Sequence, residues 1–193
     1  MKNKKKIVTI WMAAIGIFLF TACSHSQPNT YRIMPKEYNI AYEDTYGRCY
    51  DSVPHCIVAL DLYSEGLELQ ENKMVGTGYN LYLSDIILPD RTGEDSLHLA
   101  PGTYHSERTA QPFTFLPGRD YEGTPHGMYL LFVEEGKLQS IQVLDSGYLV
   151  VKDTTNNLID LQFKLYYKNL YGYRATYTTH FQGEFQHKPW LKK

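Results

Sequence analysis

No stretch of this sequence keeps the apolar period of an amphipathic helix over several turns, and the chain is read as β structure for that reason. Catalytic signatures are missing as well. There is no Gly-x-Ser-x-Gly elbow, no His-Glu-x-x-His zinc motif, no phosphate loop and no EF-hand spacing. Gly76-Thr77-Gly78 lacks the third glycine and the following helix of a dinucleotide fingerprint, so it reads as a turn or bulge at the start of a strand. Positive charge is scarce. Nineteen Lys and Arg against 21 Asp and Glu leave a formal charge of −2, without the clustered cations that a nucleic-acid partner requires. No cofactor or metal is expected.

The N-terminus is patterned differently from the rest. Lys2, Lys4, Lys5 and Lys6 precede an uncharged apolar run from Ile7 to Phe20, and Phe20-Thr21-Ala22-Cys23 closes it. A basic region, an apolar core and small residues before a cut site make a secretory signal peptide. The run falls short of the roughly 20 apolar residues that span a bilayer. A plain signal-peptidase site would give no reason for the cysteine. The segment resembles the lipobox of bacterial lipoproteins. That resemblance implies cleavage after residue 22, a diacylglyceryl group on the Cys23 thiol and an acyl chain such as palmitate on the new amino terminus. Two or more chains make such an anchor stable, so the expected partner is a membrane. Ser24 stands where an aspartate would favour inner-membrane retention, so the resemblance implies an outer-membrane lipoprotein. Ser24-His25-Ser26-Gln27 is not the acidic cluster of surface-displayed members, and periplasmic and surface facing both stay open.

Removing residues 1–22 takes four lysines and no acid, moving the formal charge to −6 over 171 residues. That length suits one domain with a real core. Residues 23–37, with Pro28 and Pro35, read as a polar linker, residues 38–186 as a single β domain and residues 187–193 as a tail. Cys49 and Cys56 are then the remaining cysteines. Outside the cytoplasm an even pair reads as a disulfide. A zinc site would need ligands at a different spacing from His55, which sits beside Cys56.

Seventeen tyrosines lean the composition towards pleated, half-buried surfaces. From Tyr38 the apolar period is two. Tyr173, Ala175, Tyr177, Thr179, Phe181 and Phe185 alternate with polar neighbours, and so do Ile159, Leu161, Phe163, Leu165 and Tyr167. Both read as strands with one dry face. They are joined at Asn169–Gly172, with Asn156-Asn157 as the turn before them. Further strands are expected at Ile57–Ser64, Gly78–Leu88, Gly102–Ser106, Gly127–Glu134, Leu138–Leu144 and Tyr148–Asp153. Glu135-Gly136 and Asp145-Ser146-Gly147 are expected as hairpin turns, and Pro89–Ser96 and Pro117–Pro125 as long loops. Short turn-delimited strands predict an all-β fold: an antiparallel β-sandwich, or else a closed or partly open, lipocalin-like β-barrel.

Gly76–Gly78, Tyr79–Leu83, Leu99–Tyr104 and Phe181–Phe185 together resemble small β-rich lipoproteins of gut-commensal Gram-negative bacteria. The likeness runs from Tyr38 to Phe185. It implies a β-sandwich-like domain and brings no catalytic residues with it.

Candidate site residues fall into three groups. His98 and His105 flank the Pro101-Gly102 turn and His126 lies in the second long loop, where converging imidazoles would bind Zn²⁺; His180 is expected on a wet face. Asp90, Glu94, Asp95 and Asp120, with Arg91, Arg108 and Arg119, supply loop charge from which a small envelope hydrolase would draw its acid and base. Tyr121, Tyr129, Tyr166, Tyr171 and Trp190 would stack on sugar faces if exposed. The preferred expectation is a non-catalytic binding or accessory protein of the cell envelope, with a glycan or another envelope protein as ligand. A hydrolase and a structural component of an envelope assembly are the alternatives.

Mass spectrometry of membrane-purified protein under non-reducing conditions tests both cysteine expectations. It should find an acylated N-terminal Cys23 and a Cys49–Cys56 cross-linked peptide. An unmodified Cys23, or free thiols at 49 and 56, would refute the corresponding reading.

Overall fold

The computed structural model describes residues 34–45, 56–89, 99–153 and 158–186. Cys23, Cys49, His55, Asp90, Arg91, Glu94, Asp95, His98, Trp190 and the Asn156-Asn157 turn lie outside the described residues. The described residues form strands and no helix. In chain order these are β1 (Glu37–Tyr38), β2 (Ile40–Thr45), β3 (Ile57–Tyr63), β4 (Leu67–Gln70), β5 (Lys73–Gly76), β6 (Gly78–Ile87), β7 (Gly102–Ser106) and β8 (Thr114–Phe115). They continue with β9 (Arg119–Tyr121), β10 (Thr124–His126), β11 (Met128–Glu134), β12 (Lys137–Val143), β13 (Ser146–Asp153), β14 (Ile159–Lys168) and β15 (Arg174–Gly183).

The all-β expectation is borne out. Eleven strands share one hydrogen-bonded sheet, while β4–β5 and β9–β10 are separate hairpins. Of the two architectures the sequence allows, the nearly closed barrel describes this hydrogen bonding. Strand β3 covers one edge of β6, and the other edge is shared by β11 near its start and β8 at Ile87. From β8 the sheet continues through β7, β13, β14 and β15.

Closure comes from the first described residues. Glu37 and Tyr38 pair in parallel with His180 and Phe181 of β15. The Asn39 amide then crosses to the Tyr63 carbonyl (3.0 Å), and Ile40–Thr45 pair antiparallel with β3. The Gln186 amide bonds the Ala41 carbonyl at 2.8 Å, so the same stretch touches both ends of the sheet. Pro35 to Glu37, expected at the end of the linker, are thus hydrogen-bonded into the barrel.

Strand alternation fixes what lies inside. In β15, Tyr177, Thr179 and Phe181 are buried and the residues between them exposed, and β14 buries Leu161, Phe163 and Leu165 in the same way. Leu62, Leu81, Tyr104, Phe115 and Leu149 complete an interior that is filled by side chains. Tyr173, expected on the dry face, is 71% exposed because it belongs to the turn before β15.

Two-residue turns make three of the hairpins. Glu71-Asn72, Glu122-Gly123 and Glu135-Gly136 all have positive φ at both positions, the conformation whose twist matches paired strands. The expected Glu135-Gly136 turn is therefore found. Gly76-Thr77-Gly78 is also a turn at a strand start, since Gly76 has φ +99° and a Cβ there would strike the Gly66 carbonyl. Two expectations need correction. Pro117–Pro125 is not simply a loop, because it holds most of the β9–β10 hairpin. Asp145-Ser146-Gly147 is not a hairpin turn, because β12 and β13 run on as one extended stretch that changes partner. The Leu144 amide bonds the Met128 carbonyl (3.1 Å) and the Asp145 amide bonds Tyr166 (2.9 Å). Gly147 serves close approach, as a Cβ there would sit 2.6 Å from the Lys164 carbonyl oxygen.

A chain of hydroxyls locks the closure. Tyr177 Oη donates to the Pro35 carbonyl (2.8 Å) and so accepts from Tyr38 Oη (2.9 Å). Burial chiefly pushes Tyr177 up to about 12, and burial likewise pushes Tyr104 up to about 12. Folding therefore favours the neutral phenols. Their contribution is complete below the unfolded value of about 10 and is lost as pH rises through about 12. Tyr177→Phe should cost about 1–3 kcal/mol in urea denaturation at neutral pH, because Tyr38 Oη and the Pro35 carbonyl lose their partner. An unchanged midpoint would contradict the lock.

Candidate functional site

Because side chains alternate across a strand, the outward face of β3, β6, β11 and β12 can be read from the register. One row is Asp61, Tyr82, Tyr129 and Val143; the next is Tyr63, Asn80, Leu131 and Ile141. Strand β2 adds Tyr42 beside Asp61 and Ile40 beside Tyr63. Such a face on a barrel wall is ordinarily polar. Here it is mostly aromatic and aliphatic.

Tyr82 and Tyr129 stand directly opposite each other and stack, with ring centroids 5.0 Å apart and planes 28° from parallel. Both are half-buried. Leu131, Ile141 and Val143 extend the apolar surface away from the pair. A polar group lies on the other side. Asp61 accepts the Tyr63 hydroxyl at 3.0 Å and the Asn80 amide at 2.5 Å, while the same Asn80 nitrogen reaches the Leu62 carbonyl at 3.1 Å. Tyr63 in turn meets Tyr42 edge-on at 5.6 Å. Burial and the neighbouring Asp61 carboxylate both raise the Tyr63 pKa strongly, so this phenol stays a donor. The β4–β5 hairpin covers the far end, where Leu67, Leu69 and Met74 pack on Tyr42, Tyr63 and Val133 in a second small core.

The expected aromatics are not brought together. Tyr129 lies on this face. Tyr121 is 61% exposed on β9, against His126. Tyr166 sits under the Arg174 guanidinium, 4.1 Å from its ring centre, and Tyr171 stands at the tip of the β14–β15 turn. The face's Tyr82, Asp61 and Asn80 were not among the expected residues. Their signal was the register: each falls opposite an outward residue of a neighbouring strand, which needs the pairing to be seen.

The histidines disperse too. His105 contacts Tyr148, His126 contacts Tyr121, and His180 reaches the Lys36 carbonyl and lies 3.8 Å from Glu37. Among the described residues no group of three or more His, Cys, Asp or Glu is placed to hold a metal ion. Asp120 caps its own turn by accepting the Gly123 amide at 2.8 Å. A cavity of about 180 Å³ elsewhere has Ile57, Ile87 and Phe115 in its wall with Asp85, Glu107 and Arg108. It is smaller than the roughly 300–1,000 Å³ usual for small-molecule sites. Cys56 is buried just before β3 and has no disulfide partner among the described residues, Cys49 lying outside them.

No family model, no curated protein and no solved structure matches the chain.

Proposed function

We propose that this is a lipid-anchored, non-catalytic binding protein of the cell envelope, tethered through Cys23 at the outer membrane, and that its ligand is a glycan held on the outward face of β3, β6 and β11. The stacked Tyr82–Tyr129 pair carries this reading. A sugar's C–H face is apolar and packs on an aromatic ring, while its hydroxyls seek nearby carboxylate and amide groups. Asp61 and Asn80, one strand and one row away, are groups of that kind, but they are buried (7% and 1% exposed), so the half-buried Tyr82 and Tyr129 rings make the first contact, backed by the polar pair. Tyr63 and the Leu62 carbonyl hold them in place before any ligand arrives, which lowers the ordering cost of binding. The anchor rests on the lipobox resemblance. The Cys49–Cys56 disulfide belongs to the same extracytoplasmic reading and would tie the chain just ahead of β3.

The hydrolase alternative has one observation in its favour, the pair of carboxylates Asp85 and Glu107 in the wall of the small cavity. One experiment separates the two. The chain without residues 1–22 is screened on a glycan array, and hits are followed by calorimetry and by a reducing-sugar assay. The chain's contacts group Met34–Lys193 as a unit of its own, so this form retains every residue of that unit. Binding should be found, and Tyr82→Ala or Tyr129→Ala should each weaken it about tenfold, the size of a well-packed aromatic contact. Absence of any glycan binding at high protein concentration would overturn the reading. Sugar release abolished by Asp85→Asn would put the hydrolase first.

A further inference from the structure

The most exposed apolar side chains of the described residues are gathered at one place, the β14–β15 turn. Leu170, Tyr171 and Tyr173 are 77%, 72% and 71% exposed. This turn is firmly built. The Asn169 side-chain oxygen accepts the amides of Tyr171 and Tyr173, both at 3.0 Å. The Gly172 amide bonds the Asn169 carbonyl (2.8 Å), and the Asn169 amide bonds the Tyr173 carbonyl (2.9 Å). Four bonds therefore hold three large apolar side chains out in water, where folding gains nothing from them.

The stem beneath the turn adds an independent observation. Lys168 and Arg174 are direct cross-strand partners, both exposed. Like charges directly opposite are destabilising, and among the described residues neither cation has a carboxylate partner. Arg174 is held in place by stacking on Tyr166 and donating to Ser146 Oγ at 3.2 Å. The result is an aromatic and aliphatic tip with two exposed cations one step behind it, Arg174 held in place and Lys168 free to reach outward. Tyrosine rings at headgroup level, a leucine beyond them and basic residues reaching anionic headgroups are the arrangement of a side chain set that sits in a membrane interface.

We infer that the β14–β15 tip docks on a bilayer surface containing anionic lipid, with Leu170, Tyr171 and Tyr173 entering the interface and Lys168 and Arg174 meeting the headgroups. This contact is separate from the glycan face and from the Cys23 lipid. Together with a lipid tether it would fix which way the barrel faces the membrane.

The test uses the unlipidated chain, lacking residues 1–22 and carrying Cys23→Ser, with vesicles of phosphatidylcholine alone or mixed with phosphatidylglycerol. Co-sedimentation should show binding to the mixed vesicles that weakens as salt rises. Leu170→Ser/Tyr171→Ser/Tyr173→Ser together should lower it at least about tenfold. Lys168→Gln and Arg174→Gln should each lower it about fivefold, with the urea midpoint of the Lys168→Gln variant unchanged or raised. Equal binding of the triple variant and its parent, or no binding to either vesicle, would overturn the inference. So would a dimer in sedimentation velocity that the triple variant abolishes while vesicles are ignored, because the tip would then meet a second copy. Glycan binding by the triple variant should be unchanged, so failure here is distinguishable from failure of the glycan face.

Discussion

Residues 36–42 bond to β15 on one side and β3 on the other, and the shape of the domain depends on those contacts. Without them β15 and β3 would each present an open edge with unpaired backbone groups. With them, Tyr38 is brought against Tyr177, and the two buried phenols and the Pro35 carbonyl satisfy one another. The loss of solvent that pushes these phenols up is the same loss that makes an unmade bond there expensive.

Closure also decides what the outside can carry. Because the interior is filled by Tyr104, Phe115, Leu149 and their neighbours, a ligand has to be met on the wall or the rim. The wall has its aromatic row where β6 is flanked by both β3 and β11. The rim has its apolar tip where β14 and β15 extend past the end of β13. The two surfaces are built from different strands, β3, β6 and β11 for the face and β14 and β15 for the tip, and between them the Gln142 side chain of β12 reaches the Lys168 carbonyl.

Much of the fold was legible in the sequence. The alternations over Ile159–Tyr167 and Ala175–Phe181 match the buried residues, because a strand with one wet face writes its pattern locally. Gly102–Ser106 is a strand as expected. The β4–β5 hairpin was not foreseen, since its Glu71-Asn72 turn lacks the glycine that usually marks such a loop. Asp145–Gly147 misled for the opposite reason: turn residues sit in a stretch whose glycine is needed to pass close to Lys164. The closure was beyond local reading, because Tyr38 and Tyr177 are 139 residues apart. The same applies to the site. Tyr129 was a candidate on residue type alone, while Tyr82, Asp61 and Asn80 become its neighbours only through strand register.

Native-state hydrogen exchange at the closing amides tests the dependence on closure most directly. Asn39, His180 and Gln186 donate to the Tyr63, Lys36 and Ala41 carbonyls. If closure holds the barrel, these amides exchange only with the global unfolding that also exposes β14, and share its protection. Exchange of all three at the rate of an open loop, with β14 still protected, would show that the barrel stands without its closing segment and would contradict the account.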